Sequence, residues 1–374
     1  MSQPEQPQIK ATERLVSLDA YRGAIMVALI SHGFGFQALK GDPFWGFLAV
    51  QTEHVQWDGC VFWDLIQPSF MFMVGVAMPL AFRKRASTGQ GSGLIFAHVL
   101  KRALYLCLIA IGFSTVHQGS ITIGFVNVLP QIAFGYVVTY LVVERSYFTQ
   151  GMTAVLILAG YTLAWVLYPG NGSAALWANP TAEPPWGAQF ANLGSDFDFW
   201  LLGRWYSGYW VALNAIPSTS TMIAGAMCGR LMTAGFRPSR VMGIMAISAA
   251  TLMGAGLFVS SLGIPMIKRV LSTSFALYST GWAILFLLIF YWVIEVLKFR
   301  QWAFVFVVVG MNSIAAYIMF QLFRGWIDNA IMAFLRVPLT AMGTFGEIAQ
   351  ACLVLAAQWS VLYFFYKNKI FFKV

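Results

Sequence analysis

The sequence predicts an all-α, polytopic membrane helix bundle with about ten transmembrane helices, and three observations predict it. Hydrophobic residues make up 59% of the 374 and charged residues only 10%, against roughly 45–50% apolar and about 25% charged in soluble domains. The apolar stretches run on for about 20 residues, the length a helix needs to cross the hydrocarbon core. They lack the apolar–polar alternation of barrel strands. This composition excludes a water-soluble domain, a disulfide scaffold and a wholly disordered chain.

The spans fall, in order, at 20–39, 60–82, 95–116, 121–143, 149–168, 215–234, 241–262, 273–297, 302–323 and 346–366. The first is the least regular, because Ser31, His32, Gly33 and Gly35 interrupt it. Lys and Arg in alternate loops set the orientation. With the N-terminus inside, Arg83, Lys84, Arg85, Arg145, Arg230, Arg237, Arg240, Lys298 and Arg300 mark inner loops, and the inner set totals 17. The outer set is Lys40, Arg204, Lys268, Arg269, Arg324 and Arg336, which is 6. This bias predicts that both termini are cytoplasmic and that the number of spans is even. Residues 1–13 read as a disordered polar tail without a cleavable signal peptide, and residues 14–374 as a single domain. Two long outer loops, about 40–59 and 169–214, separate the spans.

The net charge of +9 is explained by positive-inside flanking. No basic RNA- or DNA-binding module accompanies it, so nucleic acid is not an expected partner. Cys60, Cys107, Cys228 and Cys352 form no CxxC pair and read as small buried hydrophobes. No metal-ligand spacing, Walker motif or GxGxxG is present, and no internal repeat is evident.

Ionisable residues inside a membrane are costly, so each is a functional candidate. Asp64 is the single charge in GCVFWDLIQPSFMFMVGVAMPLAF, with Gln67 and Pro68 one turn later. Pro68 frees the Asp64 carbonyl, creating a polar defect on one helical face. His98 and His117 stand at the ends of the third span, whereas His32 lies within the first and His54 just before the second. A neutral imidazole beside a buried carboxylate suits general-base or covalent chemistry, so His54 and His32 are rival catalytic candidates. The loop 169–214 concentrates Trp177, Trp186, Trp200, Trp205, Tyr206, Tyr209 and Trp210 around Asp196, Asp198 and Arg204. These rings form either an interfacial belt or a platform for a sugar.

Four blocks carry a resemblance. RLVSLDAYRG (14–23) resembles R-x-x-S-x-D-x-x-R-G; HVQWDGCVFWDLIQPSFMFMVG (54–75) resembles H-x-x-W-x-G-x-x-x-x-D-L-x-x-P-x-F-x-F-x-x-G; KRVLSTSFALYSTG (268–281) and GMNSIAAY (310–317) resemble two later motifs. All belong to the transmembrane acyltransferases related to heparan-α-glucosaminide N-acetyltransferase. The resemblance implies transfer of an acetyl group from cytosolic acetyl-CoA, as co-substrate, to an amino sugar or glycan on the outer side. It implies His54, Asp64 and Asn312 as catalytic residues. Two departures bear on the acceptor side or helix packing: NVLPQIA (127–133) carries Gln131 where Arg is common, and VALNAIPSTS (211–220) replaces an acidic stretch.

A thioester entering from the cytosol needs basic residues at the inner mouth, and Arg22, Lys101 and Arg102 are available there. Lys268 and Ser274 on the outer side are candidates for donor or acceptor contact. Trp57, Asp198, Arg204 and Trp205 are candidates for the acceptor sugar. His54 would act as nucleophile or as general base, with Asp64 orienting the ring and Asn312 hydrogen-bonding the thioester carbonyl. No metal is expected. The expected setting is the lipid bilayer of a bacterial inner membrane with the active site toward the outside, and a homodimer is left open. Two alternatives remain: an O-acyltransferase of a polysaccharide, in which His32 is the catalytic residue, and a proton-coupled sugar or glycan transporter.

Overall fold

The computed structural model describes residues 15–168, 192–204, 206 and 210–372. Among them the chain is helical, and β pairing is limited to an isolated antiparallel bridge between Asp58 and Ile267. The helices are α1 (Val16–Ile30), α2 (Gly46–Gln51), α3 (Ile66–Ser87), α4 (Ser92–Gln118), α5 (Val128–Val142), α6 (Tyr147–Leu167), α7 (Leu193–Leu202), α8 (Ala215–Met232), α9 (Pro238–Ser261), α10 (Thr273–Tyr291), α11 (Phe304–Met311), α12 (Ser313–Ala341) and α13 (Thr344–Lys367). The expected tail 1–13 lies outside the described residues, as do Trp205 and most of the loop 169–214.

A helix stands at each of the ten expected positions, but only six are long and apolar enough to cross a membrane. A seventh qualifies if α11 and α12, bent by 68° at Asn312, count as one span. Six or seven of the ten expected spans meet this criterion, and the remainder fall short of it for local reasons. The first span stops at Ile30 because His32, Gly33, Phe34 and Gly35 all adopt positive φ. Gly33 and Gly35 tolerate this left-handed turn, whereas His32 and Phe34 adopt it at a steric cost. The 15 residues of α5 reach only about 22 Å at 1.5 Å per residue. In α8 the run Pro217–Thr221 places Ser218, Thr219, Ser220 and Thr221 in the protein interior.

The main apolar cluster of the core includes Met71, Phe72, Val76, Tyr136, Met222, Met245 and Leu287. A tight seam joins α3 to α8. A Cβ on Gly75 would lie 1.9 Å from the Met222 carbonyl oxygen, and one on Gly225 would lie 2.1 Å from that of Phe72. Small residues of this kind let two membrane helices approach backbone to backbone. The seam fixes the position of α3, which carries the candidate carboxylate at its start.

The two ends of the bundle differ in chemistry. At one end α6 finishes while α3, α8 and α10 begin. There the Tyr161 hydroxyl donates to the Val270 carbonyl at 2.7 Å, and the Thr162 and Thr273 hydroxyls meet at 2.6 Å. The opposite end is basic. Arg83 reaches Thr233 at 3.1 Å, Arg85 reaches His98 at 2.8 Å and Arg230 donates to the Val143 carbonyl at 3.2 Å. The Glu295 carboxylate there accepts the Ser17 amide at 3.0 Å and lies 3.2 Å from Arg300. An anion at a helix N-terminus is favourable, so Glu295 pins the start of α1 to the end of α10.

Candidate active site

Two connecting segments cross at the end where α3 and α10 begin. Gly59 N–H donates to the Met266 carbonyl at 2.9 Å, and Met266 N–H donates to the Asp58 carboxylate at 2.8 Å. This bridge sets the stretch before α3 against the stretch before α10. The second stretch is clamped from within. Ser272 Oγ and Ser274 Oγ both donate to the Pro265 carbonyl, at 2.6 and 2.7 Å, and Ile267 N–H donates to Ser272 Oγ at 2.9 Å. The clamp fixes the backbone that presents Lys268.

Three side chains converge as a result. Asp64 lies in the tight turn Phe62–Leu65 that leads into α3, 1% exposed. Its Oδ1 is 2.8 Å from His54 Nδ1 and 3.5 Å from Lys268 Nζ. Its Oδ2 accepts the Val61 amide at 3.2 Å. Lys268 Nζ also stands 2.9 Å from His54 Nδ1. The lysine is buried, but the imidazole keeps 36% of its side-chain surface open. Trp210 completes the group. Its ring meets the imidazole edge to face at 5.7 Å, and the Lys268 and Arg269 cations lie 5.3 and 5.9 Å from its centre. Such cation–π contacts help to hold a desolvated charge.

Proton placement follows from the donor inventory. Nδ1 either donates or accepts, but does not do both. A carboxylate only accepts, so the Asp64 contact calls for a proton on Nδ1 and leaves Nε2 unprotonated, 3.4 Å from Lys268 Nζ. Lys268 then balances the Asp64 charge. Burial holds the His54 pKa below its ordinary value, against the opposing pull of the Asp64 hydrogen bond, so the ring is neutral at pH 7. Burial also pushes Lys268 down to about 8, although the Asp64 charge works the other way.

The other expected residues stand elsewhere. His32 occupies the left-handed turn after α1, exposed, with its ring 6.2 Å from that of Phe320. Asn312 is fully buried at the α11–α12 break. Its Nδ2 donates to the Ile370 carbonyl at 3.1 Å, and its Oδ1 accepts the Phe372 amide at 3.2 Å. The side chain expected to bind a thioester carbonyl thus holds the C-terminal segment. Arg22 pairs with Asp19 at 2.7 Å and donates to the Gly310 carbonyl at 2.8 Å. Lys101 and Arg102 lie over the rings of Tyr105 and Tyr136, at 5.5 and 4.6 Å. These three cations stand toward the basic end, away from the His54 group.

Four expected binding residues have partners within the protein. Trp57 is buried with Tyr161, Trp165 and Val211, so its ring packs the protein instead of facing a sugar. Asp198 is 1% exposed and accepts the Ala212 amide at 3.1 Å, which ties α7 to the start of α8; burial raises its pKa to about 7. Ser274 is consumed by the Pro265 clamp. Lys268 stands in the His54–Asp64 group itself. Arg204 remains at a polar pocket, donating to the Ile123 carbonyl at 2.5 Å. Trp205 lies outside the described residues. Trp210 was visible in the sequence only as one ring among seven, because nothing local distinguishes a ring beside a polar site from one in a belt.

Among the described residues no cluster of three or more His, Cys, Asp or Glu side chains is arranged to hold a metal ion. No curated protein matches the chain. Residues 14–193 match the family model described as heparan-alpha-glucosaminide N-acetyltransferase, catalytic, which supports a heparan-alpha-glucosaminide N-acetyltransferase-like family for this chain.

Proposed function

We propose that the protein is an acetyl-CoA-dependent membrane N-acetyltransferase that acylates an amino sugar at the bundle end where α3 and α10 begin. The observation that carries the reading is the contact of His54 with a buried Asp64 at 2.8 Å beside Lys268. The family match supplies the reaction class.

The chain's own groups divide the work. Asp64 holds the imidazole so that Nε2 is unprotonated, and Lys268 compensates the carboxylate charge. In direct transfer the acceptor amine attacks the thioester carbonyl, the C–S bond breaks, coenzyme A leaves as a thiolate, and His54 takes the N–H proton. In the covalent route Nε2 first takes the acetyl group with loss of the same thiolate, and the amine then attacks the acyl-imidazole. Lys101 and Arg102 at the basic end suit the phosphates of a cytosolic donor. This reading takes the ten helices as spanning a bacterial inner membrane with both termini in the cytoplasm, so that His54 faces outward. The charge bias of 17 to 6 supports that orientation.

The test is acetyl transfer from radiolabelled acetyl-CoA to glucosamine by purified protein in lipid nanodiscs. His54→Ala abolishes transfer while coenzyme A binding persists, and His32→Ala retains most of it. Acid quenching before the acceptor is added separates the routes, because only the covalent one leaves label on the protein. A His54→Ala variant with wild-type turnover, paired with an inactive His32→Ala, overturns the assignment.

A further inference from the structure

Trp210 stands outside any helix, yet its ring is set against His54, and α7 explains how. Gly194 and Asp198 are four residues apart on α7 and so share one face. The chain that follows Trp210 lies against that face. A Cβ on Gly194 would come 2.6 Å from Val211 Cγ1, so the position has no room for a side chain. One turn on, the two Asp198 carboxylate oxygens accept the Ala212 amide, at 3.2 and 3.1 Å. Val211 itself is fully buried, in one apolar cluster with Tyr161, Trp165, Ile267 and Val270. Ile267 immediately precedes Lys268, so the cluster also sets the backbone of 210–212 beside the backbone that presents the lysine.

The energetics single out the carboxylate in this arrangement. A hydrogen bond to an ionised acceptor is roughly twice as strong as a neutral one, and it is stronger still where water is excluded. Asp198 is 1% exposed, and its bond falls on the residue two places after Trp210. On the other side of the ring stand the His54 imidazole at 5.7 Å and the Lys268 and Arg269 cations at 5.3 and 5.9 Å. The α7 face thus holds one end of a short lever, and the groups around Asp64 meet the other.

We propose that Asp198 is a positioning residue for the acyl-transfer site: by holding the Ala212 amide on the α7 face it keeps the Trp210 ring against the His54 imidazole and the Lys268 ammonium, and so keeps water from them. The inference rests on the acyl-transfer reading for its effect on turnover, but not for the placement of the ring. One readout on the full-length protein in lipid nanodiscs therefore needs no turnover. It is the rate at which diethyl pyrocarbonate modifies His54 at pH 7.5, followed by peptide mass spectrometry. Trp210→Ala uncovers the imidazole and raises that rate severalfold. Asp198→Ala and Gly194→Ala raise it in the same way, and neither adds to Trp210→Ala, because both act through that ring.

The second readout is kcat for acetyl transfer to glucosamine. Asp198→Ala lowers it about tenfold, the scale of one lost charge-assisted hydrogen bond. The acid limb of its rate profile moves to higher pH, since water at the imidazole relieves the burial that holds the His54 pKa down. The charged groups that face this imidazole, Asp64, Lys268 and Arg269, are unaltered in the variant. Asp198→Asn, whose Oδ1 still accepts the Ala212 amide, recovers part of the loss. Thermal melting reports folding, and Gly194→Ala displaces the same segment without touching the carboxylate if Asp198→Ala does not fold. A folded Asp198→Ala protein with wild-type modification of His54 overturns the proposal, as does an Asp198→Ala effect undiminished in the Trp210→Ala background. The expected modification pattern in a protein that transfers no acetyl group supports the positioning role and overturns the acyl-transfer reading. Transfer that responds to Trp210→Ala but to none of the folded α7 variants overturns the positioning role alone.

Discussion

Replacing Asp64 by Asn separates the two roles that the structure gives this carboxylate. The first is charge compensation. Asp64 is 1% exposed and stands 3.5 Å from Lys268 Nζ. Removing one member of a buried ion pair usually costs about 3–5 kcal/mol, because the other charge is left uncompensated. Here the cost is capped. Lys268 is already pushed down to about 8, and without Asp64 it falls further and loses its proton. Deprotonating such a lysine at pH 7 costs no more than about 1.4 kcal/mol, one pH unit at 1.36 kcal/mol each. The second role is the tautomer. An Asn amide donates into His54 Nδ1, which moves the imidazole proton to Nε2, where it blocks both the base and the nucleophile. The same Asp→Asn change in a Ser-His-Asp protease lowers kcat by about 10⁴, or about 5.5 kcal/mol of barrier. The activity loss therefore exceeds the stability loss by several kcal/mol. The expected variant is folded, binds coenzyme A and transfers acetyl to glucosamine about 10³–10⁴ times more slowly. Calorimetry and radiolabel transfer on one preparation measure both quantities. A folded Asp64→Asn protein that keeps more than about a tenth of wild-type turnover refutes the orienting role.

Transfer activity has a bell-shaped pH profile. It is lost on the acid side as His54, held by burial below its ordinary value, gains its proton, and lost above about 8 as Lys268 gives its proton up, and a rate profile of Lys268→Met lacks the alkaline fall. The stability profile has a definite sign: Lys268 binds its proton less readily folded, at about 8, than unfolded, at 10.5. Wild-type stability therefore rises between these values and falls as pH drops back through 8, and denaturant melts of Lys268→Met at pH 7.5 and 10 show that rise reduced. Gly225→Ala drives a Cβ to 2.1 Å from the Phe72 carbonyl and destabilises the α3–α8 seam by about 1–3 kcal/mol, with lower activity because α3 carries Asp64. Gly243→Ala on α9, with nothing within 4 Å, is neutral or slightly stabilising in the same melts. A reporter in the 83–93 loop or after Val374 reads cytoplasmic and one near Pro184 reads external; an external C-terminus means an odd number of spans.

The sequence by itself determined the helical class and the ten helical positions, because continuous apolar runs and flanking charges are local features. It also singled out Asp64, since a lone carboxylate in an apolar segment is conspicuous wherever the chain folds, but it left His54 and His32 level until the family resemblance favoured His54. What it left open was span length. Whether α1 continues past Ile30, or α11 past Asn312, depends on backbone turns that hydropathy does not register. The partner of Asp64 was out of reach for a different reason. Lys268 lies 204 residues further along the chain, and only the Asp58–Ile267 bridge and the serine clamp at Pro265 bring it to the imidazole. Tertiary structure likewise showed Trp57 packed in the protein, Asp198 and Ser274 hydrogen-bonded to its backbone, and Trp210 as the ring beside His54. Residue type sets what a side chain is able to do, whereas its burial and its neighbours across the chain decide which of those things it does.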